Sequence, residues 1–510
     1  MSERREPPTL AVAGGLASAL GADVLRSLDS RALAGFLAAS RWFGGKGRTP
    51  ESVRIAEVIP VEWGGDHAAV ARVTVRSGDG AEASYQLPLV AREAEMSESH
   101  APPAHAVLAR VNAGGVHGLV FDALHDPGFR AHLAAALESG AIFAGESARW
   151  TLTPVAAGTA ALESLPSRLV TGEQSNSSVI YGDRAILKLF RKLEPGINPD
   201  VEVTRFLTTR TSFRDTPELL AELGFESESH GDSVAGMLTR FVAGAEDGWR
   251  YALGQLRSYL SAGGNGGDPS NTFADDARRL GVVTREMHRA LASVSDDPAF
   301  AAEPVTGSDI TRWTERALRT IDSALDLLSA RASSLEPRTA AMSRAIAGRR
   351  VTIHELLDEA SRGARGERAV DQGIRSRTHG DYHLGQLLRG SDGRWYVIDF
   401  EGEPARALAE RRELTSPARD VAGMLRSFGY AAAAGASEAG GLGTNPATEI
   451  RSAHWDRDAR AAFLDAYGTD PNDPLIELFE MEKMFYELEY ELNNRPGWVW
   501  VPLRAIARLF

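Results

Sequence analysis

Two acidic residues, Asp381 and Asp399, mark the place where this chain could do chemistry. The first lies in His379-Gly380-Asp381-Tyr382-His383-Leu384-Gly385-Gln386, and the second ends the apolar run Tyr396-Val397-Ile398. Asp381 can orient an acceptor hydroxyl and take its proton. The amide oxygen of Gln386 and the carboxylate of Asp399 are the hard donors that Mg²⁺ requires. Gly380 and Gly385 permit tight turning, and His379 can brace the loop by hydrogen bonding. Together these parts suit transfer of a metal-bound phosphate to a hydroxyl, the chemistry of a small-molecule kinase. The bland alternative is a hairpin with an incidental acidic turn. Two acids, two histidines and an amide at this spacing argue against it.

Such a site needs a phosphate-binding half, and an upstream segment offers one. The apolar run Ala185-Ile186-Leu187-Lys188-Leu189-Phe190 carries a single lysine in its middle. A charge inside a central strand needs a partner, so Lys188 is expected to face phosphates or a carboxylate. An edge-strand lysine reaching water is the competing reading. A helix beginning near Asn198-Pro199-Asp200 offers Glu202 as its ion-pair partner, unless Glu202 is merely a solvated helix residue. Before the lysine strand, Ser175, Asn176 and Ser177 sit in a small polar turn between strands, with amides and hydroxyls that can meet phosphate oxygens or close an ordinary hairpin. After it, Gly236–Ala245 reads as a strand leaving into a turn. There Thr239 and Phe241 would present backbone groups to an adenine edge, if the strand carries a ligand at all.

Composition narrows the partners. The chain has 510 residues, 56 basic against 69 acidic, and a net charge of −13. That balance repels polyanions and lowers the expectation of nucleic-acid binding, while favouring a small or cationic substrate. Cysteine is absent, which excludes disulfides, thiolate metal sites and cysteine nucleophiles. The charged N-terminus carries no convincing signal peptide, and no run of about 18 apolar residues occurs, so a cytoplasmic protein without membrane spans is expected.

The elements that must position these residues follow from periodicity. A helix is expected over Asp23–Ser40. Three alternating apolar runs, Val53–Glu62, Ala68–Val75 and Ala83–Val90, read as strands. Gly44-Gly45-Lys46 lacks the spacing of a phosphate loop, and the histidines at 100 and 105 read as loop residues. Leu119–Leu137 reads as helical and Trp150–Leu152 as a strand. Helical patterns then run over Phe273–Ser293, Ser308–Ala330 and Ala341–Ala360, with His288 on the core face of the first.

The chain resembles aminoglycoside and choline kinases of the protein-kinase-like fold, and among them the actinobacterial maltokinases and their glucosamine kinase relatives. The residues that carry the likeness are His379-Gly-Asp-x-His-Leu-Gly-Gln386, Ile398-Asp399-Phe400-Glu401-Gly402-Glu403-Pro404, Ser416-Pro417-Ala418-Arg419-Asp420, Arg41-Trp42-Phe43 and Tyr486-Glu487-x-x-Tyr490-Glu491-x-x-Asn494-Arg495-Pro496-x-Trp498. The resemblance implies an α+β, bilobal fold: an N-terminal β-rich cap over 1–92, an intermediate region and small β-rich lobe over 93–242, and a large mainly α-helical lobe over 243–510. It implies ATP between the lobes, sugar in the large lobe, and Asp420 as the acid that holds the catalytic loop from behind. Gln386 replaces the Asn of the wider superfamily, as it does in this sugar-kinase group.

The final helical segment bears on the sugar. Tyr486, Glu487, Tyr490, Glu491 and Asn494 share one side of a helix. With Trp498, His383 and Glu401 they are candidate substrate contacts, and a core-packed acidic helix is the alternative. Surplus carboxylates, Glu401 or Glu403 among them, would suit an ammonium group. Glycine-rich stretches at 261–268 and 435–444 could reshape access. The expected reaction is phosphorylation of glucosamine to glucosamine 6-phosphate, with maltose as the second choice. An aminoglycoside kinase and a catalytically inactive binding module are the other readings, and a monomer is expected.

Overall fold

The computed structural model describes residues 6–45, 50–96, 101–170, 175–262, 273–366, 373–404, 406–440 and 445–510. Lys46, His100, residues 171–174 and, of the glycine-rich stretches at 261–268 and 435–444, residues 263–268 and 441–444 lie outside them. The chain divides into two compact units, one of Met1–Arg210 with Pro217–Ala243, the other of Thr211–Thr216 with Gly244–Phe510. The first is β-rich and the second mainly helical.

In the first unit, strands Ser52–Trp63, Asp66–Arg76 and Glu82–Glu93 form an antiparallel meander at the positions where the alternating runs were expected. The turn between the first two is Gly64-Gly65, both at positive φ, and a second hairpin turns at Gly114-Gly115 in the same way. Two consecutive left-handed residues match the twist of the flanking strands, and glycine adopts them at no steric cost. The sheet runs on past residue 92, because Val107–Ala113 and Val116–Asp122 join it. Trp42 and Phe43 are buried against Tyr85, so these residues of the cap motif serve packing.

The helix expected over Leu119–Leu137 begins only at Pro127. Val116, Val120 and Phe121 favour the pleated strand that pairs with Glu82–Glu93. Asp126 then caps Pro127–Ser139 by accepting from the amide of Phe129 at 2.7 Å. In the same way Asp29 starts a new helix at Ser30, splitting the one expected from Asp23 to Ser40. A break at Gly348-Arg349 divides the expected 341–360 helix into Pro337–Ala347 and Arg350–Arg365.

A second sheet of this unit places Ala185–Phe190 centrally, flanked by Asn176–Tyr181 and Ser233–Arg240. Lys188 pairs with Ser178 on one side and Met237 on the other, so it is not an edge-strand lysine.

In the helical unit, Phe273–Leu291, Gly307–Arg331, Ala418–Glu438, Pro446–Tyr467 and Pro474–Asn494 are long helices. Sequence sets their starts: Asn445 and Asp473 each cap a helix that opens on proline, and Thr306 with Asp309 forms a capping box. A short hairpin, Leu387–Arg389 with Trp395–Val397, lies among them. Among the described residues, no helix is long and apolar enough to cross a membrane.

Candidate active site

The loop that carries Asp381 is held by backbone hydrogen bonds to one buried carboxylate. Asp420, near the start of helix Ala418–Glu438, accepts from the amides of His379 at 2.7 Å and Gly380 at 2.9 Å, and contacts His288 Nε2 at 3.0 Å. Burial pushes this carboxyl up, but His288, His379 and the Gly380 amide outweigh it and hold it below the usual range. His288 is therefore more than packing: its other nitrogen meets the Tyr467 hydroxyl at 2.9 Å.

His379 ties the two acidic segments together. Its Nε2 lies 3.0 Å from the carbonyl of Ile398, and the Asp381 amide points at its Nδ1. The carbonyl fixes the proton on Nε2 and leaves Nδ1 as acceptor. Gly380 has φ +84°, and a Cβ there would stand 3.3 Å from Gly402 Cα. A side chain at 380 is excluded both by the backbone and by its neighbour.

The hairpin brings Gln386 and Asp399 to the same end of its backbone ladder. Leu387 pairs with Val397, and the Ile398 amide donates to the Gln386 carbonyl at 3.0 Å, so Gln386 and Asp399 flank the same end of the hairpin. Asp399 takes φ +68°, a left-handed backbone that aspartate tolerates at some cost and that concentrates at functional sites. An amide oxygen and a carboxylate, with no nitrogen or sulfur donor, fit Mg²⁺.

Sequence reasoning missed the residue that touches Asp381. Lys483 Nζ stands 2.9 Å from Asp381 Oδ1 and 2.9 Å from Glu403 Oε1, beneath the ring of Tyr486 at 4.7 Å. Burial opposes its charge, but Asp381 and Glu403 raise its pKa well above the ordinary lysine value, so it stays an ammonium. The signal was there: Lys483 is the one basic residue in the acidic stretch Pro474–Asn494. Lys483 engages Oδ1 and leaves Oδ2 to the side of His383. His383 Nε2 stands 3.8 Å from that oxygen, and burial holds that imidazole below its ordinary pKa despite the pull of Asp381.

The carboxylates expected to read a sugar ammonium are mostly spoken for. Glu403 is 1% exposed and compensated by Lys483, Arg419 and Arg406, which together drive its pKa far down against burial. Glu487 pairs with Arg426 at 2.6 Å. Glu491 accepts from Tyr430 and from Arg495, and Trp498 stacks on Tyr430 with centroids 6.3 Å apart. Tyr486 alone of that helix face adjoins the Asp381 cluster, and burial with Glu403 and Asp381 pushes its phenol up to about 12. Tyr490 is exposed beside Arg495, Asn494 donates to its carbonyl, and Glu401 is half-buried.

In the β-rich unit, Lys188 Nζ meets Asp200 Oδ2 at 3.1 Å. Asp200 stands in the first turn of helix Pro199–Arg210, two positions before the expected partner Glu202. The Asn198 side chain accepts from the Asp200 amide at 2.8 Å and fixes that turn. Ser177 is buried and accepts from Arg191 Nε, while Ser175 is exposed and Asn176 half-buried at the strand's start. Thr239 pairs with Ile186 and Leu219, and the Phe241 amide donates to the Arg184 carbonyl at 2.9 Å, which removes that amide from any adenine edge.

Comparison with known proteins shows what these parts are similar to. Residues 36–126 match the maltokinase N-terminal cap domain. The glucosamine kinase of Mycolicibacterium smegmatis is 27% identical over 355 residues, covering 67% of this chain and 79% of that protein. That of Streptacidiphilus jiangxiensis is 28% identical over 352 residues, covering 65% and 72%.

The chain is similar to the maltokinase and glucosamine kinase group.

The fold agrees. A solved glucosamine kinase in complex with glucosamine, ADP and inorganic phosphate superposes with a TM-score of 0.63 at 23% identity, covering 96% of this chain and 98% of that one. A second solved form of a glucosamine kinase gives 0.61 over the same shares.

Proposed function

We propose that this chain is an ATP- and Mg²⁺-dependent sugar kinase that phosphorylates glucosamine to glucosamine 6-phosphate. The observation that carries the phosphotransferase reading is the Asp381 loop: a carboxylate with one oxygen fixed by Lys483, on a backbone pinned by Asp420, beside a Gln386–Asp399 oxygen pair. Magnesium bound there would neutralise charge on the transferring phosphate. Asp381 Oδ2 takes the proton of the attacking hydroxyl as the new O–P bond forms. The bond from the γ-phosphorus to its bridging oxygen breaks, and ADP leaves with the electron pair. Lys188, held by Asp200 and, in this reading, by Glu202, serves the phosphates, with Ser175, Asn176 and the Thr239–Phe241 segment as nucleotide contacts. His383, Tyr486 and Glu401 adjoin the acceptor. The reaction belongs in the cytoplasm, where ATP is available.

Support for glucosamine comes from the relatives and not from a surplus of acid. Glu403, Glu487 and Glu491 are already balanced by lysine and arginine, so an ammonium gains little from them. Maltose phosphorylation to maltose 1-phosphate is the second reading, favoured by the cap domain. An ATP-consumption assay with Mg²⁺ against glucosamine, maltose, glucose and kanamycin separates them. Turnover on glucosamine is expected. Turnover on maltose with none on glucosamine replaces the first reading by the second, and turnover on kanamycin alone overturns both.

A further inference from the structure

The sheet that carries Lys188 is fastened at one end by residues of the 36–126 segment, the part that matches the cap domain. Asn176 pairs with Phe190, and Gly236 with Leu189, so the starts of Asn176–Tyr181 and Ser233–Arg240 meet the finish of the lysine strand. Ser175 and Asn176 lie at that end. Gln86, fully buried on strand Glu82–Glu93, donates through its side-chain nitrogen to the carbonyls of Phe190 at 2.7 Å and Ala235 at 2.5 Å. Its backbone amide donates to the Arg191 carbonyl at 2.8 Å, and Lys192-Leu193 then pairs with Tyr85 and Ser84 of the same strand.

Arg191 ties in the remaining strand. Its guanidinium donates to Asp122 Oδ2 at 2.6 Å and to Ser177 Oγ at 2.8 Å, and it lies over the ring of Trp42 at 4.8 Å. Asp122 and Trp42 fall within the cap match, and Ser177 lies on the strand beside Lys188. Packing alone does not call for this residue. Arg191 is 1% exposed, and its Nη1 has no hydrogen-bond acceptor among the described residues. A buried ion pair is weak evidence for stability, since apolar residues of similar volume often serve as well. What arginine adds is a planar fork that reaches acceptors on two segments at once while stacking on an aromatic face, and this fixes a geometry. The geometry fixed here is that of Ser177 and its neighbours against the lysine strand.

We propose that the cap segment is a splint for nucleotide binding, with Arg191 and Gln86 as positioning residues that set Lys188 against Ser175 and Asn176. This role rests on those three residues being phosphate contacts, as in the kinase reading. It gives the cap a part in ATP affinity and none in the choice of sugar. A displacement of about 1 Å at a positioned group can cost about 10²-fold, so loosening the staple should register in nucleotide binding even where the fold survives.

Calorimetry of ADP binding with Mg²⁺, and steady-state kinetics, test this on the full chain. Arg191→Met keeps an apolar stem over Trp42 and removes the fork. It should weaken ADP binding and raise KM for ATP at least about tenfold, with KM for the sugar within about twofold. Arg191→Lys keeps the charge beside Asp122 but cannot fork to both acceptors, so it should melt closer to the parent chain and still bind ADP at least about threefold more weakly. Val111→Ala truncates the buried core of the first sheet two strands away from Glu82–Glu93, and should lower the melting temperature while leaving ADP affinity within about twofold of parental. Parental ADP affinity in both Arg191 variants overturns the positioning role and leaves the kinase reading standing. A loss in Val111→Ala equal to that in Arg191→Met assigns the effect to general weakening of the cap and overturns the role as well. Absence of ADP binding by the parent chain overturns the kinase reading together with the role.

Discussion

Replacing Lys483 with methionine removes the cation that touches Asp381 while preserving the length of the side chain. At 2.9 Å and an effective dielectric of about 20, each of its two carboxylate contacts is worth about 6 kcal/mol before desolvation is subtracted. Breaking a buried pair by deleting one partner costs about 3–5 kcal/mol net. Glu403 keeps Arg406 and Arg419, so the loss should fall at the low end, about 3 kcal/mol. At about 2–4 °C per kcal/mol for a unit of this size, the melting temperature should drop by about 6–12 °C. The kinetic effect should appear in kcat, because Lys483 orients the base and does not hold nucleotide. A general base contributes about 10²–10⁴-fold, and losing its orientation should remove about ten- to a hundredfold of that while KM for ATP stays within about twofold. Lys483→Arg retains the charge and should recover part of both losses. Melting curves and steady-state kinetics measure this. A methionine variant with parental melting temperature and kcat would refute the role assigned to Lys483.

Three further outcomes follow from the same geometry. Asp420→Ala leaves the His379 and Gly380 amides without their acceptor, so the chain should lose about 3 kcal/mol or more in denaturant unfolding, together with most of its turnover. Gly380→Ala forces an alanine to φ +84° beside Gly402 and should cost at least about 1–2 kcal/mol, whereas Gly254→Ala, in a helix with open space around it, should be neutral or stabilising in the same thermal melts. Stability should fall with acid in two steps. His383 is depressed in the fold, so the unfolded chain gains protons first as pH drops through about 6.5. Glu403, Glu482 and Asp420 are also depressed, so their contribution is complete above about pH 4.5 and is lost as pH falls below it toward their folded values. Melting temperatures that rise between pH 7 and pH 4 would contradict these signs.

Much of the Asp381 site was legible because local chemistry fixes it. The His-Gly-Asp turn, the apolar strand ending in Asp399 and the lysine strand all depend on short-range patterns that survive in one dimension. For Lys188 the sequence pointed to Glu202 and passed over Asp200, which meets it at 3.1 Å, because periodicity names a helix turn but not every acid of it that a side chain reaches. Lys483 escaped notice for a related reason: its meaning lies in its position against residues 381 and 403, which sequence does not juxtapose. The acidic helix face was read for its charge, but the arginines that balance it come from distant segments, Arg426, Arg419 and Arg406 among them. In the first sheet, tertiary pairing turned Leu119–Asp122 from an expected helix into a strand, as neighbouring strands outweighed local preference.

The central claim is that Asp381 takes the proton of a sugar hydroxyl during phosphate transfer, and replacing Asp381 with asparagine tests it most directly. Asparagine keeps the shape and removes the base. ATP consumption with glucosamine and Mg²⁺ should fall by about 10²–10⁴-fold while ADP affinity by calorimetry stays within about threefold. Turnover by Asp381→Asn within a factor of a few of the parent chain would contradict the account.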